Sequence, residues 1–157
     1  GSAFTYAQGN LVFWSADPKL VDKDGKAVKE MKFNKCAVAD PKLAPYGEAA
    51  YETLKSLKLL DKYQPKFVTG NNIGKTFQFV KTGNAEVGFV ALSQVYKNGK
   101  ITEGSGWIVP SKYYQPIRQD AVLLKHGEKS AAAKSFLKFL QSAEANKLKQ
   151  SYGYATH

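Results

Sequence analysis

Lys35-Cys36-Ala37-Val38-Ala39-Asp40-Pro41-Lys42-Leu43-Ala44-Pro45-Tyr46-Gly47-Glu48-Ala49-Ala50 is the stretch whose reading decides the fold. Residues 35–39 form a short apolar strand, which Asp40-Pro41 breaks: the residue before a proline is pushed out of helical geometry. Pro45 then suits the first turn of a helix, where its missing N–H costs nothing. From there to Leu60, the residues Ala49, Ala50, Thr53, Leu54, Leu57 and Leu60 make an apolar stripe at helical spacing. A third strand is expected at 66–69. Gly70-Asn71-Asn72 supplies a turn and an N-cap for a helix over 73–82, which Gly83-Asn84 stops. Residues 87–92 are the fourth strand. Strand, helix, strand, helix, strand at these intervals suits right-handed crossovers. It predicts an α/β fold with a mainly parallel central sheet flanked by helices.

Outside this block, residues 11–14 read as the first strand, ended by the turn-prone Ser15-Ala16-Asp17-Pro18. Residues 17–32 are polar and read as an exposed loop or short helix. Trp107-Ile108-Val109 is a fifth strand and Ala121-Val122-Leu123-Leu124 a sixth, with a loop bracketed by Pro110 and Pro116 between them. Residues 130–151 read as one amphipathic helix, with Ala133, Phe136, Leu137, Leu140 and Leu148 on one side. No internal repeat or low-complexity segment interrupts the pattern. No apolar run approaches the roughly 20 residues that span a bilayer.

Composition narrows the function classes. The net charge of +10 suggests an anionic partner. The lysines are spread along the chain, however, and Arg118 is the one arginine, whereas base and phosphate recognition recruits arginine forks. The aromatics fall in strand and helix patterns rather than alternating with lysine, so no nucleic-acid partner is expected. A lysine-rich solvated surface is the plainer reading of the charge. Cys36, alone in an apolar run, reads as an inert buried thiol and excludes an internal disulfide. His126 and His157 have no Ser, Cys or carboxylate at a catalytic spacing, and no hydrolase, zinc-protease or P-loop motif is present. Asp17, Asp22 and Asp24 lack the spacing and terminal Glu of a calcium loop. An enzyme is not expected.

In parallel sheets, ligands bind beyond the carboxyl ends of the strands, where helices begin. The turns at 40–47 and 69–74 each lead into a helix start, with a glycine close by to admit a ligand to the backbone. Helix starts carry unpaired N–H groups and a partial positive charge of about half a unit, so two converging on one cleft would hold a small anion. Sequence spacing does not establish that they converge.

At these same turns a family resemblance enters. Residues 39–50 resemble the A-(D/N)-P-x-x-A-P-x-G-x-A-A stretch of molybdate-binding proteins of bacterial ABC importers. Val68-Thr69-Gly70-Asn71-Asn72-Ile73-Gly74-Lys75-Thr76, the run 83–94, Tyr114-Gln115-Pro116-Ile117-Arg118-Gln119-Asp120-Ala121 and the tail through Tyr152-Gly153-Tyr154 match in order. The resemblance covers nearly the whole chain. It implies a type II periplasmic-binding-protein fold of two lobes joined by two crossings, at 10–15 and 118–124. On that pattern residues 1–15 are a lead-in and first hinge strand, and 16–117 the second ligand-binding lobe. Residues 118–157 are the return hinge strand and C-terminal helix of a first lobe whose N-terminal segment, with its ligand-holding hydroxyls, is missing.

The resemblance also implies the ligand contacts: backbone amides at Tyr46 and Ile73, flanked by Gly47 and Asn72, which shape the turns. As side chains, Tyr46 reads as a half-exposed aromatic and Ile73 as a buried staple residue. Some family members add a tyrosine hydroxyl after the fourth strand; Ala91 stands there, as in the subset that does without it. The implied function is a periplasmic receptor that captures molybdate or tungstate without a cofactor or directly bound metal and delivers it to an inner-membrane ABC permease. The alternatives are a cytoplasmic ligand-sensing domain of a transcription regulator and a receptor for another tetrahedral oxyanion. An incomplete first lobe would expose apolar surface around Phe136 and Leu140 and favour pairing between chains.

Overall fold

The strand at 36–39 is buried on both faces, so the sheet that holds it must be covered on both sides. The computed structural model, which describes residues 3–156, has that architecture. In chain order the elements are β1 (Ala3–Gly9), β2 (Leu11–Ser15), α1 (Lys26–Glu30), β3 (Cys36–Ala39), α2 (Pro45–Ser56) and α3 (Leu60–Tyr63). Then come β4 (Phe67–Gly70), α4 (Ile73–Lys81), β5 (Val87–Ala91), β6 (Tyr96–Lys97), β7 (Lys100–Ile101) and β8 (Ser105–Ile108). The last are β9 (Ile117–Val122), α5 (Ala131–Leu140) and α6 (Ala143–Ser151).

Five strands form the central sheet in the order β4-β3-β5-β2-β8. β3 runs parallel to both β4 and β5, while β2 is antiparallel to β5 and β8, so β2 alone opposes the other four. Successive strand residues point to opposite faces. Leu11, Phe13, Cys36, Val38, Val87 and Phe89 therefore meet Ala49, Ala50 and Leu54 of α2 on one face. Val12, Trp14, Ala37 and Val90 meet Phe77 and Val80 of α4 on the other. Phe13 is central to the first layer, with its ring 5.0 Å from that of Phe89 and 6.2 Å from that of Phe33. Burying an aromatic of this size contributes about 1.5–3 kcal/mol. Cys36 is fully buried, and desolvation pushes its thiol pKa well up.

Several boundaries differ from expectation. Leu11–Ser15, expected as part of a lead-in and first hinge strand, is buried along its whole length as an inner strand of the five-stranded sheet. What stands apart is β1, paired antiparallel with β9 in a sheet of its own. Lys58, at φ 59°, ends the first long helix, so Leu60 begins a separate short one. The tail is two helices, because Ser142 turns its hydroxyl to the Ala145 amide and starts a new one. The sixth strand begins earlier, at Ile117. The β6–β7 hairpin was not foreseen, nor was β1.

The helical tail is tied to β1 by one cation. Lys149 Nζ donates to the Tyr6 carbonyl at 2.7 Å and to the Leu140 carbonyl at the end of α5, where positive charge is favoured. Desolvation lowers its pKa. None of the described helices is long and apolar enough to cross a membrane. Gly1, Ser2 and His157 lie outside the described residues, and His126 is exposed.

Glu86 joins the beginnings of two central strands. Its carboxylate accepts the amides of Asn34 at 2.7 Å and Lys35 at 3.2 Å, just ahead of β3, and it stands immediately before β5. Burial by itself would raise its pKa; the amide bonds outweigh that and the net shift is downward from about 4.5. A carboxyl lowered in the folded state adds stability above its unfolded pKa, and this is lost as pH falls through the folded value. Glu86→Gln should therefore lower the melting temperature at pH 7, with the deficit shrinking as pH drops below about 4.5. A deficit independent of pH in thermal melts from pH 3 to 7 would show that the charge does not hold these strands.

Candidate functional site

Register places two helix starts side by side. Ala39, the last residue of β3, pairs with Gly70, the last of β4, and the Asp40 amide donates to the Gly70 carbonyl at 2.9 Å. Both chains then turn into helices at the same edge of the sheet.

At the first turn, Ala44 is extended and Pro45 opens α2 without a side-chain cap. The Ala44 carbonyl takes the amides of Gly47 at 3.0 Å and Glu48 at 3.2 Å. The Tyr46 amide meets no acceptor among the described residues. Gly47 lets this helix start lie flat on the strand: a Cβ there would sit 2.1 Å from the Ala39 carbonyl oxygen. Asp40 is turned into its own loop, where its Oδ1 accepts the Lys42 amide at 2.9 Å.

At the second turn, Asn72 is the N-cap, and its side chain accepts the Lys75 amide at 2.8 Å. The Asn72 carbonyl accepts the Thr76 amide at 3.1 Å and the Thr76 hydroxyl at 2.8 Å. The amides of Ile73 and Gly74 are left without an acceptor among the described residues. Such orphan donors are intrinsic to helix starts, and an anion is a natural partner for them. A third strand end joins in through Gln94, a residue that sequence reasoning did not single out. Its Oε1 accepts the Ala91 amide at 3.0 Å, and its Nε2 donates to the Ile73 carbonyl at 3.3 Å. Nothing in a lone glutamine's spacing would have shown this.

The two tyrosine and isoleucine side chains exchange their expected roles. Tyr46 is 8% exposed, while Ile73 is half-buried against the edge of the same core. Burial drives the Tyr46 hydroxyl pKa up; the nearby hydroxyls of Tyr154, Tyr114 and Tyr6 add to this, and a hydrogen bond from Gln119 offsets part of it. Lys42 and Lys75 are exposed within the two turns. Among the described residues no group of three His, Cys, Asp or Glu could hold a metal ion.

The site is a rim of donors at one edge of the sheet. A cavity of about 470 Å³ lies elsewhere, between Pro18, Val21 and Lys23 on one side and the β6–β7 hairpin and β8 on the other.

Comparison with known proteins bears on this geometry. The family described as bacterial extracellular solute-binding protein matches residues 1–155. The chain is 51% identical over 154 residues to the molybdate-binding protein ModA of Azotobacter vinelandii, covering 98% of this chain and 61% of that protein. It is 52% identical over 157 residues to the molybdate-binding protein ModA of Rhodobacter capsulatus, covering 99% of this chain and 60% of that protein. Among solved structures, it is similar to the Azotobacter vinelandii periplasmic molybdate-binding protein, with a TM-score of 0.91 at 39% identity over 100% of this chain and 69% of that one. The chain thus spans about 60% of the length of these curated relatives.

Proposed function

We propose a receptor for the molybdate dianion, from the premise that this chain belongs to the bacterial extracellular solute-binding protein family. The whole receptor, of which this chain provides one lobe and part of another, captures the anion in the periplasm and hands it to an inner-membrane ABC permease. It does no chemistry on its cargo and needs no cofactor. The names of its relatives support molybdate as the ligand, with tungstate, of the same shape and charge, as the companion. The observation that carries the proposal is the pairing of two helix starts, at Tyr46 and Ile73, whose first amides have no acceptor among the described residues.

Molybdate at neutral pH only accepts hydrogen bonds, so a ring of neutral donors matches it without a counter-charge. Bonds to a charged acceptor contribute about 1.5–3 kcal/mol each. Two of them give about 3–6 kcal/mol, and the lost freedom of association costs about 4 kcal/mol or more. This lobe by itself therefore binds at millimolar concentration or more weakly; tight capture requires further donors, from the remainder of a full-length receptor. Lys42 and Lys75 add long-range attraction that weakens with salt.

The surface bears on the same point. Eight large apolar residues are exposed among those described, and six of them (Val122, Leu124, Phe136, Phe139, Leu148 and Tyr152) lie on or after β9 and on or after the two last helices. α5 has no buried residue. This face is covered in the whole receptor, and the 157-residue chain by itself pairs through it.

Two tests follow. Ile73 is the first residue of α4 and Asn72 before it is extended (φ −148°, ψ 171°), so a proline fits at 73 without disturbing the helix. Ile73→Pro in the full-length protein should fold normally yet lose molybdate binding in calorimetric titration, while the parent binds molybdate and tungstate and rejects sulfate and phosphate. Unchanged affinity in a folded variant would refute the site. On gel filtration the 157-residue chain should elute as a dimer or larger, and a clean monomer would contradict the exposed-face argument.

A further inference from the structure

We infer that the Tyr46 side chain, seated on Gly9 and held by Gln119, is a positioning element that couples the anion-gripping start of α2 to both chain passages between the two sheets. The inference rests on the molybdate reading above and extends it from the Tyr46 amide to the ring behind it.

Tyr46 faces two ways. Its amide has no acceptor among the described residues, while its ring turns inward and is 8% exposed. The ring reaches the end of β1. A Cβ on Gly9 would sit 2.2 Å from the Tyr46 hydroxyl oxygen and 3.0 Å from the ring carbon that bears it. Gly9 is not in the left-handed region, so its backbone does not require glycine. The notch for the ring does.

From the other strand of the same pair, Gln119 Nε2 approaches the Tyr46 hydroxyl at 3.5 Å, and Gln119 Oε1 accepts from the Tyr6 hydroxyl at 3.2 Å. Gln119 is thereby oriented by β1 while it reaches α2. Position in the chain makes this contact consequential. Gly9 is the last residue of β1 before the chain enters the five-stranded sheet at Leu11, and its partner Ile117 is the first residue of β9 on the way back. Both passages meet beside one ring. A rotation of the β1–β9 pair against the five-stranded sheet cannot leave the Tyr46 ring seated unless α2 follows. An anion that draws on the Tyr46 amide and a ring held in its notch thus favour the same arrangement of the two sheets, and each strengthens the other. The cluster around the ring is otherwise satisfied internally: Tyr114 Oη accepts the Leu11 amide at 3.1 Å, and the Tyr154 hydroxyl donates to Ser93 at 3.0 Å.

The test is a double-mutant cycle in the full-length protein, with molybdate as probe. Gly9→Ala, whose methyl displaces the ring, should weaken molybdate binding by about tenfold or more. Tyr46→Leu also weakens binding. The combined Gly9→Ala/Tyr46→Leu protein should be no weaker than Tyr46→Leu alone, because no ring remains to displace. Unchanged affinity in Gly9→Ala, or losses that simply multiply in the combined variant, would overturn the proposal. If Gly9→Ala does not fold, Gln119→Leu takes its place; it should raise the dissociation constant several-fold and shift the backbone N–H resonance of Tyr46 but not that of Ile73. A parent that does not bind molybdate contradicts the molybdate reading instead. The ring-and-notch proposal is then decided by the Tyr46 resonance in the ligand-free variants, and a resonance that stays put overturns it.

Discussion

Parallel pairing of β3 with β4 is the constraint on which the rest of the molecule depends. Because the two strands end in register, at Ala39 and Gly70, the helices that follow must begin at neighbouring points on one edge of the sheet. A helix start cannot satisfy its own first amides. The pairing therefore sets donors with no internal partner beside one another, and a glycine at 47 lets the first helix approach its strand closely enough to keep them there. Among the described residues no buried side-chain nitrogen or oxygen lacks a partner. What distinguishes this rim from other helix starts is that two of them begin at paired strand ends.

Burial and function are divided between the two ends of the same residues. At Tyr46 the ring belongs to the core and the amide to the rim. At Ile73 the side chain packs against the core edge while its carbonyl takes Gln94 and its amide has no acceptor among the described residues. Recognition through backbone leaves the side chains free to serve packing. A donor rim made of backbone, as proposed for the anion, needs neither an arginine nor a buried lysine, and the high positive charge of the chain does not mark its place.

Legibility in the sequence followed the range of the interactions. The strands at 36–39, 67–70 and 87–91 and the helix starts at 45 and 73 were readable because proline, glycine, an asparagine cap and apolar spacing act within a few residues. β1 was not, because Ala3–Gly9 becomes a strand only by pairing with residues more than a hundred positions away, with an irregularity between Thr5 and Ala7. The β6–β7 hairpin was legible in principle: Asn98-Gly99, with both residues at positive φ, is a strong hairpin signal that was passed over. The tail misled because its apolar positions allow one helix, and only the hydroxyl of Ser142 divides it. At the proposed site, the amides of Tyr46 and Ile73 were singled out by spacing and resemblance together. The packing of the Tyr46 ring against Gly9 and the bridge made by Gln94 depend on contacts that spacing does not encode.

The position of the anion is measured most directly by the anomalous signal of molybdenum in crystals of the full-length protein soaked with molybdate. The prediction is one strong peak, with oxygens about 2.7–3.2 Å from the amide nitrogens of Tyr46 and Ile73. A peak elsewhere, for instance in the cavity between the β6–β7 hairpin and β8, with both amides unoccupied, would contradict it.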